Sequence, residues 1–217
     1  MNERNRQCRH RRPYHHGDLH RSLVDAAEQL LEERGASGVS LREVCQCAGV
    51  SHAAPYRHFR DKAALMEAVA QAGFEQLGQM TRSARERNPG DPVGQLRDAG
   101  VAYVLWATDN PERTRLMFGG MMKSDDIDES LHQTAEAAYG EIFQIIDEGR
   151  STGIFCGPDT DAIVLSCWAA VHGLTMLILG SGKLSPGTKD EIRSLAGSVC
   201  DTILDGIRAE TPDFDPV

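Results

Sequence analysis

Apolar residues recur every three or four positions over most of this chain, which is the spacing of one face of an α-helix. The first periodic run follows Asp18, a residue type that caps helices, and stops before Gly35. Its apolar members are Leu19, Leu23, Ala26, Ala27, Leu30 and Leu31. No stretch alternates apolar and polar residues convincingly, as a half-buried strand does. The pattern therefore predicts an all-α fold with about nine helices.

Shorter helices are predicted next, each from a local start signal. The run Ser40-Leu41-Arg42-Glu43 predicts a capping box, in which the serine hydroxyl and the glutamate carboxylate each accept a backbone N–H. Gly49 ends this helix after about two turns. Ser51 can cap the following helix. Asp61 can cap another, which we expect to run as a linker helix over about residues 61–80.

Five further helices are predicted after the break at Asn88-Pro89-Gly90-Asp91-Pro92. They cover about residues 93–108, a stretch opened by Asn110-Pro111, about 127–152, about 158–180 and about 189–208. One face of the last helix carries Ile192, Leu195, Ala196, Val199, Ile203 and Ile207. The second part of the chain is therefore predicted to be helical nearly throughout.

Residues 163–180 form an apolar run of 18 residues, which lies at the length threshold for a membrane span. Polar side chains interrupt the run at Ser166, His172 and Thr175, and no basic cluster flanks it. We therefore predict no membrane segment. A helix that is apolar all round is otherwise buried on every side. This predicts a helix packed between its own domain and a partner subunit.

The composition, 41% hydrophobic and 25% charged residues, is typical of a globular chain and excludes a disordered one. The N-terminal segment is rich in arginine and has no apolar core, so it is not a secretory signal. We therefore expect a cytoplasmic location with reduced thiols. The six cysteines, at positions 8, 45, 47, 156, 167 and 200, lack the CxxC spacing of a zinc site.

The net charge of −9 is unevenly distributed. Residues 1–62 contain 11 Lys and Arg against 8 Asp and Glu, a net +3, whereas residues 63–217 contain 12 against 24, a net −12. A basic front on an acidic body indicates that the N-terminal part contacts a polyanion. We expect residues 1–16 to form a flexible basic arm.

The two short helices joined by Ala48-Gly49-Val50-Ser51 have the spacing of a helix-turn-helix motif. In such motifs the start of the second helix meets base edges in the major groove of DNA. Small or polar side chains that permit close approach occupy this place, namely Ser51, His52, Ala53 and Ala54. Side chains with a hydroxyl, an imidazole or an ammonium that can hold backbone phosphates follow, namely Tyr56, His58 and Lys62.

An ordered set of residues extends through this motif. It consists of Ser40-Leu41-Arg42-Glu43-Val44, Ala48-Gly49-Val50-Ser51, Tyr56-Arg57-His58-Phe59, Asp61-Lys62 and Leu65. With it, residues 14–80 resemble the DNA-binding domain of the tetracycline-repressor (TetR) family of bacterial transcription regulators. The entry Tyr14-His15-His16-Gly17-Asp18-Leu19 and the pattern Trp168…His172-Gly173 resemble a subgroup with a Trp-His-Gly type of C-terminal domain.

The resemblance implies a DNA-binding domain over residues 17–62 and a regulatory and dimerisation domain over 63–217. It implies a homodimer that pairs the last two helices, about 158–180 and 189–208, and a palindromic double-stranded DNA operator. A small-molecule effector would shift the fourth helix, respace the two DNA-binding domains and release the operator. Read onto this sequence, the resemblance adds Arg42 to the base contacts and Ser40 to the phosphate contacts. No cofactor and no enzymatic activity are expected.

The effector pocket is expected in the second domain, among aromatic and methionine side chains. The candidates are Tyr103, Trp106, Met117, Phe118, Met121, Tyr139, Phe143, Trp168 and His172. Methionine suits a pocket because it adapts its shape. The same residues are also compatible with ordinary core packing, in which a buried imidazole has found a hydrogen-bond partner.

Three alternatives stay open. A thiol- or metal-responsive regulator is the first, although Cys45 and Cys47 point about 200° apart on a helix and cannot chelate one metal together. The second is a ligand-insensitive architectural DNA binder, which would lack a large apolar cavity. The third is a small helical enzyme, but the sequence shows no constellation of nucleophile, base or metal ligands.

Overall fold

The structure of this protein is a computed structural model that describes residues 19–119, 128–157, 159–180, 184 and 186–209. Within these ranges the chain forms eight α-helices and no β-strand, which confirms the all-α prediction. The helices are α1 (Leu19–Arg34), α2 (Leu41–Ala48), α3 (Lys62–Arg87), α4 (Pro92–Asp109), α5 (Pro111–Phe118), α6 (Glu129–Ser151), α7 (Thr160–Gly180) and α8 (Lys189–Ile207). Two 3₁₀ turns, Ala36–Gly38 and Pro55–Arg57, precede α2 and α3.

The described residues group into two compact units. The first, called the head, contains those of Met1–Gly73 and Glu112–Leu131, and the second, called the body, contains those of Phe74–Pro111 and His132–Val217. The division therefore falls inside α3 and near the start of α5. The domains predicted over 17–62 and 63–217 stay predictions, and the predicted arm over 1–16 and the Asp18 cap lie outside the described residues.

The head is built on α1 and α2, which pack against each other. Its most deeply buried apolar side chains include Leu23, Leu30, Leu31, Val44, Leu65 and Val69. Burial of one such side chain stabilises the fold by about 1.5–3 kcal/mol, so this core fixes the short helices in place. Gly35 (φ 68°) follows α1 and Gly49 (φ 71°) ends α2, and both need the left-handed backbone that glycine adopts without strain.

The start of α2 departs from the predicted capping box. The Ser40 hydroxyl accepts a hydrogen bond from the Glu43 N–H at 3.3 Å, as predicted. The Glu43 carboxylate, however, accepts from the Ser40 hydroxyl at 2.7 Å and from the Arg34 guanidinium at 2.8 Å, and not from the Ser40 N–H. The prediction was right for the serine and wrong for the glutamate, because a cation from α1 competes for that carboxylate.

The prediction of a helix that starts at Ser51 was wrong, since this segment forms only the 3₁₀ turn Pro55–Arg57. The Ala54 N–H donates to the Ser51 carbonyl at 3.0 Å and the His58 N–H donates to the Pro55 carbonyl at 2.9 Å, each three residues back. Pro55 has no N–H, so one α-helical hydrogen bond is missing from the segment. This difference accounts for the eight α-helices within the described ranges, where the sequence predicted about nine for the chain.

The linker helix α3 begins as predicted and ends later. The Asp61 carboxylate accepts the backbone N–H three residues on, at 2.9 Å, which confirms the predicted cap. The helix then continues through residue 87 instead of ending near residue 80. Ion pairs join its last turns to α6, between Arg82 and Glu141 at 2.8 Å and between Arg85 and Glu148 at 2.7 Å. A local pattern does not contain these partners, so the prediction stopped too early.

In the body, α4 packs against α7 and α8, and α7 and α8 pack against each other. The apolar core of this unit contains Leu96, Ile145, Ile146, Phe155, Ile163, Val164 and Leu204. Between α6 and α7, the Cys156 N–H donates to the Ile207 carbonyl at 2.7 Å, which ties this connection to the end of α8. The later helices lie close to their predicted positions.

Among the described helices, α7 alone is long and apolar enough to cross a membrane, by length and composition only. Its buried residues include Ile163, Val164 and Leu174, but only 28% of its most apolar window is buried. Leu165 and Leu177 are 58% and 51% exposed. One side of α7 therefore packs in the body, and the other side, where the sequence predicted a partner subunit, is apolar and exposed.

Candidate nucleic-acid interface

The residues predicted to contact DNA lie on the head. The exposed members of this set are Arg42, Ser51, His52, Ala53, Tyr56 and His58. Tyr56 is 65% exposed, although large aromatic side chains are more often mostly buried. The structure thus leaves a guanidinium, two imidazoles and a phenol accessible to a polyanion. Which of them contacts a base and which a phosphate stays a prediction.

Two buried side chains orient the exposed segment. Pro55 begins the 3₁₀ turn, Phe59 lies two residues after its end, and both are buried in the head. Because such a turn has about three residues per turn, anchoring both ends leaves Tyr56, Arg57 and His58 on the outside. The Tyr-Arg-His-Phe run is therefore divided into three exposed polar residues and one buried aromatic anchor.

A concavity of about 540 Å³ opens beside this segment. It is lined by Leu19, Gly49, Val50, Ser51, Ala53, Ala54 and Arg57. The guanidinium of Arg57 adds a cation to walls that are otherwise small, apolar or uncharged. Sequence reasoning gave Arg57 no role, although its place in the Tyr-Arg-His-Phe run was a usable signal.

Two predicted phosphate contacts are already engaged within the head. The Ser40 hydroxyl is hydrogen-bonded to Glu43. The Lys62 ammonium donates to the Ala36 carbonyl at 2.7 Å. An ammonium has three N–H donors, so this bond positions Lys62 and leaves donors for a phosphate. Ser40 and Lys62 are half-buried, as is Ala54.

The first turn of α1 adds an imidazole that sequence reasoning missed. The exposed His20 ring lies 4.8 Å from the ring of buried Phe59, centroid to centroid, and 5.9 Å from the ring of His58. The two imidazoles meet edge to face, with an interplanar angle of 79°. Along the sequence His20 is simply a polar position on an amphipathic helix, and its approach to His58 is a tertiary contact.

Tyr103, Trp168 and His172, three of the predicted pocket residues, meet in the body. The Tyr103 hydroxyl oxygen lies 2.7 Å from Nδ1 of His172, and the Trp168 ring stacks on the imidazole at 5.1 Å with an interplanar angle of 19°. Burial lowers the pKa of His172 and raises the pKa of Tyr103. Both shifts favour the neutral forms, and one hydrogen bond joins the phenol to the imidazole. Nearby in sequence, the Trp106 Nε1–H donates to the Gln76 side chain at 2.8 Å.

The other predicted pocket residues that the structure describes are distributed over both units. Tyr139 is 44% exposed, and Phe143 packs against the apolar core of the body. Met117 and Phe118 belong to the head, where Met117 lies so close to the Gly73 backbone that a Cβ at Gly73 would clash with it. Met121 lies outside the described residues. The effector pocket therefore stays a prediction.

α5 contributes a buried ion pair to the head. The Arg113 guanidinium, in a residue only 6% exposed, lies 2.9 Å from the Glu28 carboxylate of α1. The Glu32 carboxylate accepts the backbone N–H groups of Glu112 and Arg113 at 3.1 and 2.9 Å, so it caps α5. Burial raises the pKa of Glu28, and Arg113 opposes this shift. Residues 80 positions apart in the chain thus complete one unit.

Three of the cysteines that the structure describes, Cys45, Cys167 and Cys200, are poorly suited to thiol sensing. Cys45 is 1% exposed, and burial raises the pKa of its thiol. Burial also raises the pKa of Cys167 and Cys200 to about 11, which keeps these thiols protonated and unreactive. In the part of the chain that the structure describes, no three His, Cys, Asp or Glu side chains form a group that can hold a metal ion.

The packed helices α1 and α2, the glycine turn after α2 and an exposed segment rich in polar aromatic and cationic side chains define a helix-turn-helix head. This head is joined in one chain to a helical body with a core of its own. The class that the fold and the surface define is therefore a helix-turn-helix protein with a second helical unit.

Known proteins share this organisation. Residues 23–69 match the bacterial regulatory proteins of the tetR family, and residues 96–201 match the tetracyclin repressor-like C-terminal domain. The HTH-type transcriptional regulator AcrR of Shigella flexneri is 34% identical over 95 residues, which are 44% of this chain and 44% of AcrR. The matched region thus spans less than half the length of this curated relative. The chain belongs to the TetR family of bacterial regulatory proteins.

Solved structures of other proteins are similar to this structure over most of the chain. A protein of unknown function from Rhodococcus sp. RHA1 is 33% identical, with a TM-score of 0.77 over 91% of this chain and 100% of that chain. The transcriptional regulator FadR from Bacillus subtilis, solved in complex with stearoyl-CoA, has a TM-score of 0.69 at 16% identity over 87% of this chain and 99% of that chain. The likeness to FadR shows the fold alone. The Trp-His-Gly subgroup stays a prediction.

Proposed function

We propose that this protein is a sequence-specific DNA-binding transcription regulator that acts as a repressor on a palindromic operator. The observation that carries the proposal is the exposed set on the head, in which Arg42, His52, Tyr56 and His58 present cationic and hydrogen-bonding groups. These residues fall in the region that matches the family's DNA-binding part. Ser51 to Ala54 and Arg42 read bases, and Ser40, Tyr56, His58 and Lys62 hold phosphates.

The second element of the proposal is a homodimer formed through α7 and α8. Exposed apolar side chains on one helix favour contact with another apolar surface, and α7 exposes Leu165, Trp168 and Leu177. A second copy offers the same surface, as in the symmetric interfaces of most homodimers. Two heads in one dimer then meet two half-sites about one DNA turn apart.

The third element is a small-molecule effector bound in the body. The cluster of Tyr103, Trp168 and His172 supports this, because it combines apolar rings with polar atoms of fixed orientation, as ligand sites do. The FadR structure with stearoyl-CoA is an example of this fold with a bound small molecule. An effector lowers operator affinity only if it binds better to the form that fits the operator less well. We place the protein in the cytoplasm and assign it no enzymatic activity.

The test begins with a selection of duplexes from a random library, followed by binding measurements on the best duplex and on single-base variants of it. We expect His52→Gln to change the preference between bases, and Tyr56→Phe to weaken all duplexes alike. His132→Gln serves as the control, because His132 is an exposed histidine of the body. Failure of the wild-type protein to prefer any duplex over random DNA contradicts the proposal. Candidate effectors are then tested for release of the bound duplex.

A further inference from the structure

The contact of His20 with His58 joins two elements of the head that are far apart in the chain. His20 belongs to α1, and His58 follows the 3₁₀ turn Pro55–Arg57. Both side chains are exposed, and their rings lie 5.9 Å apart. Because the His20 ring also packs at 4.8 Å against the buried Phe59 ring, its position is fixed from within the head.

The charges around this pair favour an anion. Arg57 and Arg60 are exposed within two residues of His58, and Arg60 is partly neutralised by Asp61 at 3.5 Å. The first turn of α1 contains no acidic residue. Each exposed imidazole offers a ring N–H donor, and either ring gains a favourable interaction with an anion when it is protonated. Within the described residues, no Asp or Glu carboxylate forms an ion pair with either imidazole.

We infer that His20 and His58 together bind one backbone phosphate of the DNA, so that the first turn of α1 is part of the DNA-binding surface. The inference rests on the proposed function and extends it to a residue outside the helix-turn-helix motif. The contact positions the head and reads no sequence, because phosphate oxygens are the same at every base pair. The pair acts beside the base-reading residues Ser51 to Ala54, from which the 3₁₀ turn separates His58 in the chain.

The test combines protein variants with chemically altered DNA. The duplex is the best one from the selection, and a series of copies each carries a neutral methylphosphonate at one backbone position. On unmodified DNA we expect His20→Gln and His58→Gln each to weaken binding about tenfold, the loss of a charge-assisted hydrogen bond. At one methylphosphonate position we expect the wild-type protein to lose affinity. At this same position, neither variant is expected to lose affinity beyond the loss that its substitution already causes on unmodified DNA.

Several outcomes overturn the inference. One is an unchanged affinity of His20→Gln on unmodified DNA. Another is an affinity loss, relative to the wild-type protein, that remains on every methylphosphonate duplex. A third is a loss that disappears at different methylphosphonate positions for the two variants. His132→Gln, the matched change at an exposed histidine of the body, leaves affinity unchanged. A wild-type protein that binds no selected duplex ends both this inference and the proposed function. Wild-type binding with an unaffected His20→Gln variant ends this inference alone.

A second variant separates phosphate binding from a purely structural role of the ring. His20→Lys removes the ring contact with Phe59 but supplies a permanent positive charge. If His20 binds a phosphate, His20→Lys retains most of the affinity and steepens the dependence of log affinity on log salt by up to about 0.9. If the ring only stabilises Phe59, His20→Lys loses as much affinity as His20→Gln, and thermal unfolding shows the same destabilisation in both. That result overturns the inference.

Discussion

The head and the body each expose side chains that are uncommon on a free protein surface. Those of the head are polar or cationic, and those of the body are apolar. The head exposes Tyr56 and His58 beside cations, and the body exposes Leu165 and Leu177 on α7. Along the chain, residues 1–62 carry a net +3 and residues 63–217 a net −12. The exposed segment around Tyr56 therefore suits a polyanion, whereas the exposed face of α7 suits an apolar partner.

The two surfaces therefore depend on different interactions, one on charge and the other on buried apolar area. A phosphate contact depends on charge and weakens as salt concentration rises. An apolar contact depends on the area removed from water, at about 25 cal/mol per Å², and responds much less to salt. Variants of the exposed head surface are accordingly expected to change DNA affinity and its salt dependence. Variants of the exposed face of α7 are expected to change the oligomeric state.

The largest effect is expected from a charge on the exposed face of α7. Leu177→Asp places a carboxylate where we propose that a second copy packs, so we expect a monomer at micromolar concentration by sedimentation velocity. Binding to a duplex with two half-sites then weakens by about 100-fold or more, because each head binds alone. Ala137→Asp, at an exposed position of α6, is the control that keeps the dimer. A Leu177→Asp variant that remains dimeric shows that this face is not the interface.

The next effect concerns the ion pair that joins α5 to α1 within the head. Arg113→Met leaves the Glu28 carboxylate half-buried without its cation, so we expect the free energy of unfolding to fall by about 3–5 kcal/mol. Urea denaturation measures this loss. The double variant Glu28→Gln, Arg113→Met removes both charges and is expected to recover part of it. A loss of less than about 1 kcal/mol for Arg113→Met places the pair in the range of exposed ion pairs and contradicts the prediction.

The sequence predicted those parts of the molecule that depend on local spacing. The later helices lie close to their predicted positions because apolar periodicity and turn residues such as Asn110 and Pro111 are local signals. The exposure of the residues that we propose contact DNA follows from the fixed spacing of a helix-turn-helix motif around Gly49. These features need no knowledge of what packs against them.

The parts that were missed depend on contacts between distant residues. The extra turns of α3 are paired with α6 through Arg82 and Arg85, whose partners lie 59 and 63 positions away. The capping of α5 by Glu32 crosses 80 positions. The contact of the His20 ring with the rings of His58 and Phe59 likewise joins α1 to a segment far along the chain.

A smaller effect compares one helix cap from each unit. Ser40 caps α2 in the head, and Thr188 caps α8 in the body through a full capping box with Glu191. Ser40→Ala and Thr188→Ala are each expected to lower the free energy of unfolding by about 1 kcal/mol. Only Ser40→Ala is expected to weaken DNA binding as well, because we assign Ser40 a phosphate contact. Equal losses of DNA affinity in both variants contradict that assignment.

The smallest effect is a pH dependence that belongs to the body. Burial lowers the pKa of His172 below 6.5, so the folded protein binds a proton there less readily than the unfolded chain. His172 therefore costs no stability above pH 6.5. As the pH falls through 6.5 toward the lowered pKa, the unfolded chain binds the proton more readily and the free energy of unfolding decreases. Thermal unfolding between pH 5 and pH 8, at one protein concentration, is expected to show a shallower acid-side decline in His172→Gln than in the wild type. His132→Gln keeps the wild-type decline, and an unchanged decline in His172→Gln contradicts the prediction.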